Sequence, residues 1–116
     1  MQYQGFLMDK KEKVPLIGLG TWELSGKTCV STIKMALELG YRHIDTAFGY
    51  ENHTDIAKAI KGFNREDLFI TSKFFLDQGG AKEMCDRALK ELKLDYLDLF
   101  LIHFPNKLID ICGIKR

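Results

Sequence analysis

Four side chains that could share one chemical task stand at or just beyond the ends of predicted strands. Asp45, Lys73 and His103 each close an apolar segment, and Tyr50 lies in the loop that follows Asp45. In (β/α)₈ barrels, catalytic groups cluster at the carboxyl ends of the parallel strands. We therefore expect these four side chains to converge at one edge of a parallel sheet.

The four residue types suit the transfer of a proton to an oxygen atom. A phenol has an ordinary pKa of about 10, and a neighbouring lysine ammonium favours its phenolate form. An aspartate would keep that lysine charged and oriented, and a histidine could donate a hydrogen bond to a substrate carbonyl oxygen. Together they describe a proton donor to an oxygen that gains negative charge. Since no protein side chain supplies a hydride, such a site implies a nicotinamide cofactor.

Each of these residues also has a simpler structural explanation. Alone, His103 would more often be a core histidine and Lys73 a charge that reaches solvent. Tyr50 would most often be a packing residue, and Asp45 could cap a turn. Their coincidence at one predicted edge is what favours a shared catalytic site.

The elements that position these residues alternate between strands and helices. The opening apolar runs 3–8 and 14–19, separated by the polar segment DKKEK, predict a β-hairpin. Hydrophobic periodicity then predicts strands at 16–22, 43–47, 67–74 and 96–104, and helices at 26–40, 54–62 and 81–94. A strand–helix repeat of about 25–30 residues indicates successive right-handed βαβ units.

Two α/β architectures fit this repeat, an open doubly wound sheet and a (β/α)₈ barrel. The tripeptide GLG at 18–20, followed by Asp45 in the next strand, imitates part of a dinucleotide-binding fingerprint. That fingerprint requires a third glycine at the position that Glu23 occupies here. The doubly wound sheet is therefore disfavoured. The segment 96–104 is almost continuously apolar, which is typical of a parallel strand buried on both faces.

Four segments carry a resemblance to the aldo-keto reductase family. They are VPLIGLGTW, GYRHIDTAFGYEN, REDLFITSK and LDYLDLFLIHFP, in the order and at the spacing of the family. The resemblance implies a (β/α)₈ TIM barrel that uses NADPH or NADH without a Rossmann domain and reduces small-molecule carbonyl compounds. It assigns Tyr50 as the general acid, Lys73 and Asp45 as the residues that tune it, and His103 as the residue that orients the carbonyl.

The resemblance also implies where the cofactor lies. Four residues are expected beside it: Gly20, Thr21, Trp22 and Asp45. Some positions depart from the family pattern. Phe104 replaces a usual tryptophan, His53 a common acidic residue, and Phe74–Phe75 a typical Leu-Trp pair. These departures leave the catalytic tetrad intact and concern substrate preference.

The length of the chain limits how much of a barrel it can form. A complete barrel needs about 250 residues, and this chain has 116. We expect residues 1–116 to form the N-terminal portion of a barrel domain, with a bottom-closing hairpin at 1–17, about four βα units, and an atypical tail at 105–116. Its barrel-facing side is expected to expose apolar side chains: Ile44, Ile70 or Phe69, and Leu101 or Ile102.

Two functions remain open at this point. The chain is expected to take part in NAD(P)H-dependent reduction of aldehydes or ketones, as the family resemblance implies. The alternative is a truncated, non-catalytic remnant, or a half-barrel that associates with other chains through its exposed edges.

Composition excludes several other function classes. The formal net charge is +1 with no basic stripe, which disfavours a nucleic-acid partner. No apolar run approaches the roughly 20 residues of a membrane span. Cys29, Cys85 and Cys112 are far apart and have no metal-binding spacing, so no metal is expected. Unpaired thiols and the lack of a signal-peptide pattern predict a cytoplasmic protein.

Overall fold

The computed structural model describes residues 5–7 and 13–105, in which strands and helices alternate as predicted. The strands are β1 Gly5–Leu7, β2 Lys13–Pro15, β3 Leu19–Gly20, β4 His43–Asp45, β5 Phe69–Phe74 and β6 Leu99–Ile102. The helices are α1 Gly26–Glu38, α2 His53–Ile60 and α3 Ala81–Leu92, with short 3₁₀ turns at Phe48–Tyr50 and Arg65–Asp67. None of the described helices is long and apolar enough to cross a membrane.

The first two strands form the predicted hairpin. β1 and β2 pair antiparallel, with Gly5 opposite Pro15 and Leu7 opposite Lys13. The residues between the two strands lie outside the described residues, and so does the predicted tail 105–116 except for Pro105. That the segment 1–17 closes the bottom of a barrel stays a prediction.

The other four strands form one parallel sheet in the order β3–β4–β5–β6, which confirms the predicted sequential order. Gly20 lies beside Asp45, and Asp45 lies beside Thr71 on the next strand. The strand predicted at 16–22 is reduced to two residues, because Leu16 and Ile17 form a bend and Thr21 begins a turn. The carboxyl ends of β3, β4 and β5 therefore meet at one edge.

All three helices pack on one face of the sheet. Ile44 of β4 and Ile70 of β5 are buried in a single cluster with Ile33 of α1, Ile56 of α2 and Leu92 of α3. A doubly wound sheet would place helices on both faces, whereas a barrel places them all outside. The described residues thus form part of a (β/α)₈ barrel with about four βα units.

The side of the sheet that faces the barrel interior differs from the expectation. Ile44 was expected there, together with Ile70 or Phe69. Ile44 and Ile70 instead face the helices. Phe69 points the other way, because side chains alternate along a strand, but it is only 4% exposed. His43 and Phe69 lie on the interior face, where the His43 ring meets the Phe69 ring edge-on at 4.9 Å. The imidazole of His43 also lies 2.9 Å from the Thr71 hydroxyl. This face is therefore more polar than the sequence suggested.

The last strand and the last helix also bring corrections. Leu101 and Ile102 are 38% and 52% exposed, so β6 is not buried on both faces; within the described sheet it pairs with β5 alone. On α3 the buried face is carried by Met84, Ala88 and Leu92. The i,i+4 spacing of charges along this helix predicts the pairs Glu83–Arg87 and Asp86–Lys90. The ion pairs in the structure are instead Lys82–Asp86 and Arg87–Glu91.

A buried histidine links α2, β5 and α3. His53 Nδ1 lies 2.8 Å from Glu91 Oε2, and its Nε2 lies 2.8 Å from the Ser72 hydroxyl. Burial lowers the pKa of His53 and outweighs the Glu91 carboxylate, which raises it, while Arg87 beside Glu91 lowers it further. We infer a neutral imidazole that donates a hydrogen bond from Nδ1 to Glu91 and accepts one at Nε2 from the Ser72 hydroxyl. The contact with Glu91 is thus a hydrogen bond to a carboxylate.

Acid is expected to weaken the fold through its three histidines. Burial is the first cause that lowers the pKa of His43, His53 and His103 below 6.5. The unfolded chain then binds more protons than the folded chain just below that pH, so the free energy of unfolding falls as pH falls. We expect a lower urea midpoint at pH 5 than at pH 7, with a smaller difference in His53→Gln. An unchanged or higher midpoint at pH 5 would contradict this.

Candidate active site

The central contact of the site joins two neighbouring strands. Lys73 Nζ donates hydrogen bonds to both carboxylate oxygens of Asp45 at 2.8 Å and to the Thr46 backbone carbonyl at 2.9 Å. The side chains of Lys73 and Asp45 are 14% and 32% exposed. Because β5 extends beyond the end of β4, the Lys73 ammonium can reach back to these three acceptors, which fix its position.

Tyr50 meets this ion pair from the loop after β4. It lies in the 3₁₀ turn Phe48–Tyr50 and is half-buried. The Lys73 ammonium is 5.1 Å from the centroid of the Tyr50 ring. The His103 ring meets the Tyr50 ring edge-on, with centroids 5.7 Å apart and an interplanar angle of 82°. The structure thus brings the four predicted site residues together at one edge.

His103 follows β6 and is surrounded by aromatic rings. Its backbone N–H donates to the Phe74 carbonyl at 2.8 Å, and its ring stacks on Phe75 and Phe104. Burial, followed by the nearby charge of Lys73, lowers the pKa of His103, although Asp45 raises it. Its Nδ1 is buried and has no hydrogen-bond partner among the described residues. The ring is therefore neutral near pH 7.

The loop after β3 is anchored to the backbone of Asp45. Thr21 is fully buried, and both its N–H and its hydroxyl donate to the Asp45 carbonyl, at 3.0 and 2.9 Å. A Cβ added at Gly20 would meet nothing within 4 Å, so this backbone borders open space. Trp22 is 68% exposed. Gly20 and Trp22 are therefore accessible beside Asp45.

A buried asparagine that sequence reasoning missed ties this loop to the loop of Tyr50. Asn52 Nδ2 donates to the carbonyls of Thr21 and Leu24 at 2.8 and 3.0 Å. Its Oδ1 accepts from the Thr46 hydroxyl at 2.7 Å. The only signal in the sequence is an asparagine before a helix, which predicts a cap. In the structure its side chain makes no capping bond and holds the two loops together instead.

Replacing Asn52 with leucine is expected to destabilise the fold by about 3 kcal/mol or more. The change would remove three hydrogen bonds. The Thr46 hydroxyl and the Leu24 carbonyl would lose their partner, whereas the Thr21 carbonyl still accepts from the Leu24 N–H. Each group left unpaired costs about 1–3 kcal/mol. Urea unfolding of the variant measures the loss. The matched control is Asn64→Leu, because Asn64 is exposed and its side chain accepts only one long bond, 3.3 Å from the Glu66 N–H. Equal stability of the two variants would show that the Asn52 contacts are dispensable.

Among the residues that the structure describes, no group of three or more histidine, cysteine or acidic side chains could hold a metal ion. The polar atoms of the site are an ammonium held by carboxylate, a phenol and a neutral imidazole, which together favour proton donation to an oxygen atom.

Comparisons with known proteins match this chain to one family. The Aldo/keto reductase family profile matches residues 16–114. A methylglyoxal reductase of Salmonella typhimurium is 46% identical over 100 residues, which cover 84% of this chain and 36% of that protein. The glycerol 2-dehydrogenase (NADP(+)) of Saccharomyces cerevisiae is 43% identical over 99 residues, covering 83% of this chain and 32% of that one.

Solved structures give the same picture. An aldo/keto reductase from Brucella melitensis superposes with a TM-score of 0.82 at 38% identity, over 91% of this chain and 42% of that chain. The aldose reductase from Schistosoma japonicum superposes with a TM-score of 0.76 at 38% identity, over 90% of this chain and 37% of that chain. The chain spans about a third of the length of the curated relatives it matches.

Proposed function

The chain belongs to the aldo/keto reductase family, and from this premise we propose that its site takes part in reducing small-molecule aldehydes or ketones to alcohols with NAD(P)H. The observation that carries the proposal is the Lys73 ammonium, which is held by both oxygens of Asp45 and lies against the Tyr50 ring. An ammonium close to the phenol ring supports a role for Tyr50 as a proton donor, because it favours the phenolate that remains.

Tyr50 is the general acid in this proposal. As the carbonyl carbon gains a hydride, its oxygen gains negative charge, and the Tyr50 hydroxyl gives that oxygen a proton. The Lys73 ammonium stabilises the phenolate that remains, and the Asp45 carboxylate keeps the ammonium in place. At the end of the step the substrate is an alcohol, and Tyr50 regains its proton from solvent.

His103 orients the substrate oxygen. A buried ring N–H without an acceptor is costly, so the Nδ1 of His103, which lacks a partner among the described residues, is better left unprotonated. The proton of the neutral ring then lies on Nε2. From there it donates a hydrogen bond to the carbonyl oxygen and adds to the charge stabilisation that Tyr50 provides.

A nicotinamide cofactor, NADPH or NADH, supplies the hydride when it is bound. The residues present fit such a group. Gly20 borders open space, Trp22 offers an exposed aromatic ring, and Thr21 holds the loop against Asp45. We propose that Gly20, Thr21, Trp22 and Asp45 border the nicotinamide. NADPH is favoured because the yeast relative is named for NADP(+).

We also propose a cytoplasmic location and a small-molecule partner, without nucleic acid or membrane. Both cysteines that the structure describes, Cys29 and Cys85, are free, which fits a reducing compartment. Burial raises the pKa of Cys29 to about 11, so this thiol is unreactive at neutral pH.

A chimera tests whether this segment supports catalysis. Residues 13–105 would replace the matching segment of the Salmonella methylglyoxal reductase, to which the chain is 46% identical. We expect the chimera to oxidise NADPH when methylglyoxal is added, with the parent reductase as reference. A folded chimera that binds NADPH but does not oxidise it would count against the proposed function.

A second candidate function is association as a half-barrel. The edge strand β6 exposes Leu101 and Ile102 at 38% and 52%, and β3 forms the other edge of the described sheet. Burying such a side chain contributes about 1.5–3 kcal/mol to stability, and this contribution is lost when the side chain is exposed. Unpaired strand edges can also pair with a strand of another chain. We propose that the 116-residue chain self-associates through these edges.

The 116-residue chain expressed alone is expected to be inactive and to form dimers or larger species. Light scattering measures its mass, and NADPH oxidation with an aldehyde measures its activity. Ile102→Lys should reduce the mass, because a charge on an edge strand blocks pairing. The control is Met35→Lys on α1, which is 60% exposed and away from the edge. A monodisperse monomer that turns over the aldehyde would overturn this expectation.

A further inference from the structure

Three nearly parallel rings lie next to the Tyr50 phenol. The rings of Phe75 and His103 stack with their centroids 4.8 Å apart and an interplanar angle of 10°. The rings of His103 and Phe104 stack with their centroids 4.6 Å apart and an interplanar angle of 17°. Phe75 and Phe104 are 5.9 Å apart. The imidazole of His103 is thus held in a small aromatic cluster.

Packing sets the rotation of the His103 ring. A histidine ring is usually oriented by a hydrogen bond at one of its nitrogens. The Nδ1 of His103 is buried and has no such partner within the described residues. The flat faces of Phe75 and Phe104 lie along the His103 ring and the Tyr50 ring meets it edge-on, so these rings hold the plane of the imidazole. Phe75 also contacts the turn of Tyr50.

Gly49 makes that second contact of Phe75 feasible. A Cβ added at Gly49 would lie 3.0 and 3.2 Å from Cε2 and Cζ of the Phe75 ring, so that ring would have to shift by a few tenths of an ångström. It would also lie 3.9 Å from Cε1 of His103, which is an ordinary van der Waals contact. Gly49 is not among the glycines with positive φ, so the position requires space rather than an unusual backbone. It directly precedes Tyr50. One ring therefore touches both the turn that carries Tyr50 and the imidazole of His103.

We propose that Phe75 is a positioning residue of the reductase site, seated on Gly49, that holds the His103 ring edge-on to Tyr50 so that both residues reach one substrate oxygen. The inference rests on the proposed function for its role in catalysis. The contact itself does not, so the two can be tested separately.

Nuclear magnetic resonance of the histidine rings tests the contact. The chain has three histidines, so labelling histidine with ¹³C at Cε1 gives three signals, recorded in the Ile102→Lys background if the chain associates. Phe75→Leu should move the His103 signal downfield, because the ring current of Phe75 is lost, and leave the signals of His43 and His53 in place. Gly49→Ala should move it by a smaller amount.

The combination of the two changes sharpens this test. If alanine at Gly49 acts by displacing the Phe75 ring, the double variant should give the same His103 signal as Phe75→Leu alone. The controls are Gly80→Ala, where an added Cβ meets nothing within 4 Å, and Phe100→Leu, which breaks a ring stack with Phe74. A His103 signal that moves no more in Phe75→Leu and Gly49→Ala than in these controls would overturn the proposal.

Kinetics of the chimera test the consequence for catalysis. Phe75→Leu should lower kcat about tenfold to a hundredfold with KM within twofold, because a misplaced catalytic group reduces the rate rather than binding. A raised KM with unchanged kcat would mean that Phe75 is only a wall of the substrate pocket and would overturn the positioning role. An inactive chimera with the expected His103 shift would overturn the proposed function and leave the contact standing.

Discussion

Replacing Lys73 with methionine is expected to reduce carbonyl reduction by the chimera at least a hundredfold and to destabilise its fold by about 3 kcal/mol. General acid–base catalysis typically contributes about 10²–10⁴-fold to an enzymatic rate. Without the ammonium, Tyr50 would give up its proton beside a carboxylate alone, which disfavours the phenolate. The loss of rate and the loss of stability both result from removing the Lys73 ammonium.

The loss of stability comes from the carboxylate that would remain. Lys73 donates to both oxygens of Asp45 and to the Thr46 carbonyl, and its side chain is 14% exposed. Removing one partner of a buried ion pair costs about 3–5 kcal/mol. Since 32% of the Asp45 side chain reaches solvent, the lower end of that range applies.

The matched control for this change is Lys82→Met. Lys82 also donates to a carboxylate at 2.8 Å, but the side chains of Lys82 and Asp86 are 90% and 62% exposed. Exposed pairs of this kind contribute little, so the urea midpoint and the rate should stay unchanged. Equal stability of the Lys73 and Lys82 variants would show that the Asp45–Lys73 contact does not hold the site together.

The order of strands and helices could be predicted from the sequence. Helical spacing of apolar residues predicted α1 and α2 within a few residues. Each of these helices is followed by a glycine with a positive φ, Gly40 at +98° and Gly62 at +83°. For short strands, the sequence did not predict which side chains point to the helices and which to the opposite face of the sheet. β4 has only three residues, and so short a segment does not reveal which alternate residues face the helices.

Only the part of the site that lies at strand ends could be predicted from the sequence. Asp45, Lys73 and His103 stand at strand ends, which parallel topology brings to one edge. The contacts that support them could not be predicted, because they join loops far apart in sequence. Asn52 lies 31 residues from Thr21, and His53 lies 38 residues from Glu91. No pattern within a short stretch of the sequence indicates such distant pairs.

Replacing Tyr50 with phenylalanine is expected to slow carbonyl reduction at least about a hundredfold while cofactor binding persists. The phenyl ring keeps the edge-on contact with His103 and the contact with the Lys73 ammonium, so the packing of the site is preserved. Only the proton donor is lost. The expected loss is about 10²–10⁴-fold, the usual contribution of a general acid. Weaker NADPH binding in the variant would instead assign Tyr50 a structural role.

The most direct measurement is the single-turnover rate of NADPH oxidation by the chimera with methylglyoxal, compared between Tyr50→Phe and Tyr96→Phe. Tyr96 is 43% exposed and lies under the Arg65 guanidinium, away from Asp45 and Lys73. We expect the Tyr96 variant to react at the rate of the unmodified chimera and the Tyr50 variant at least about a hundredfold more slowly, with equal NADPH affinity in both. A Tyr50 variant that oxidises NADPH as fast as the Tyr96 variant would show that another group supplies the proton.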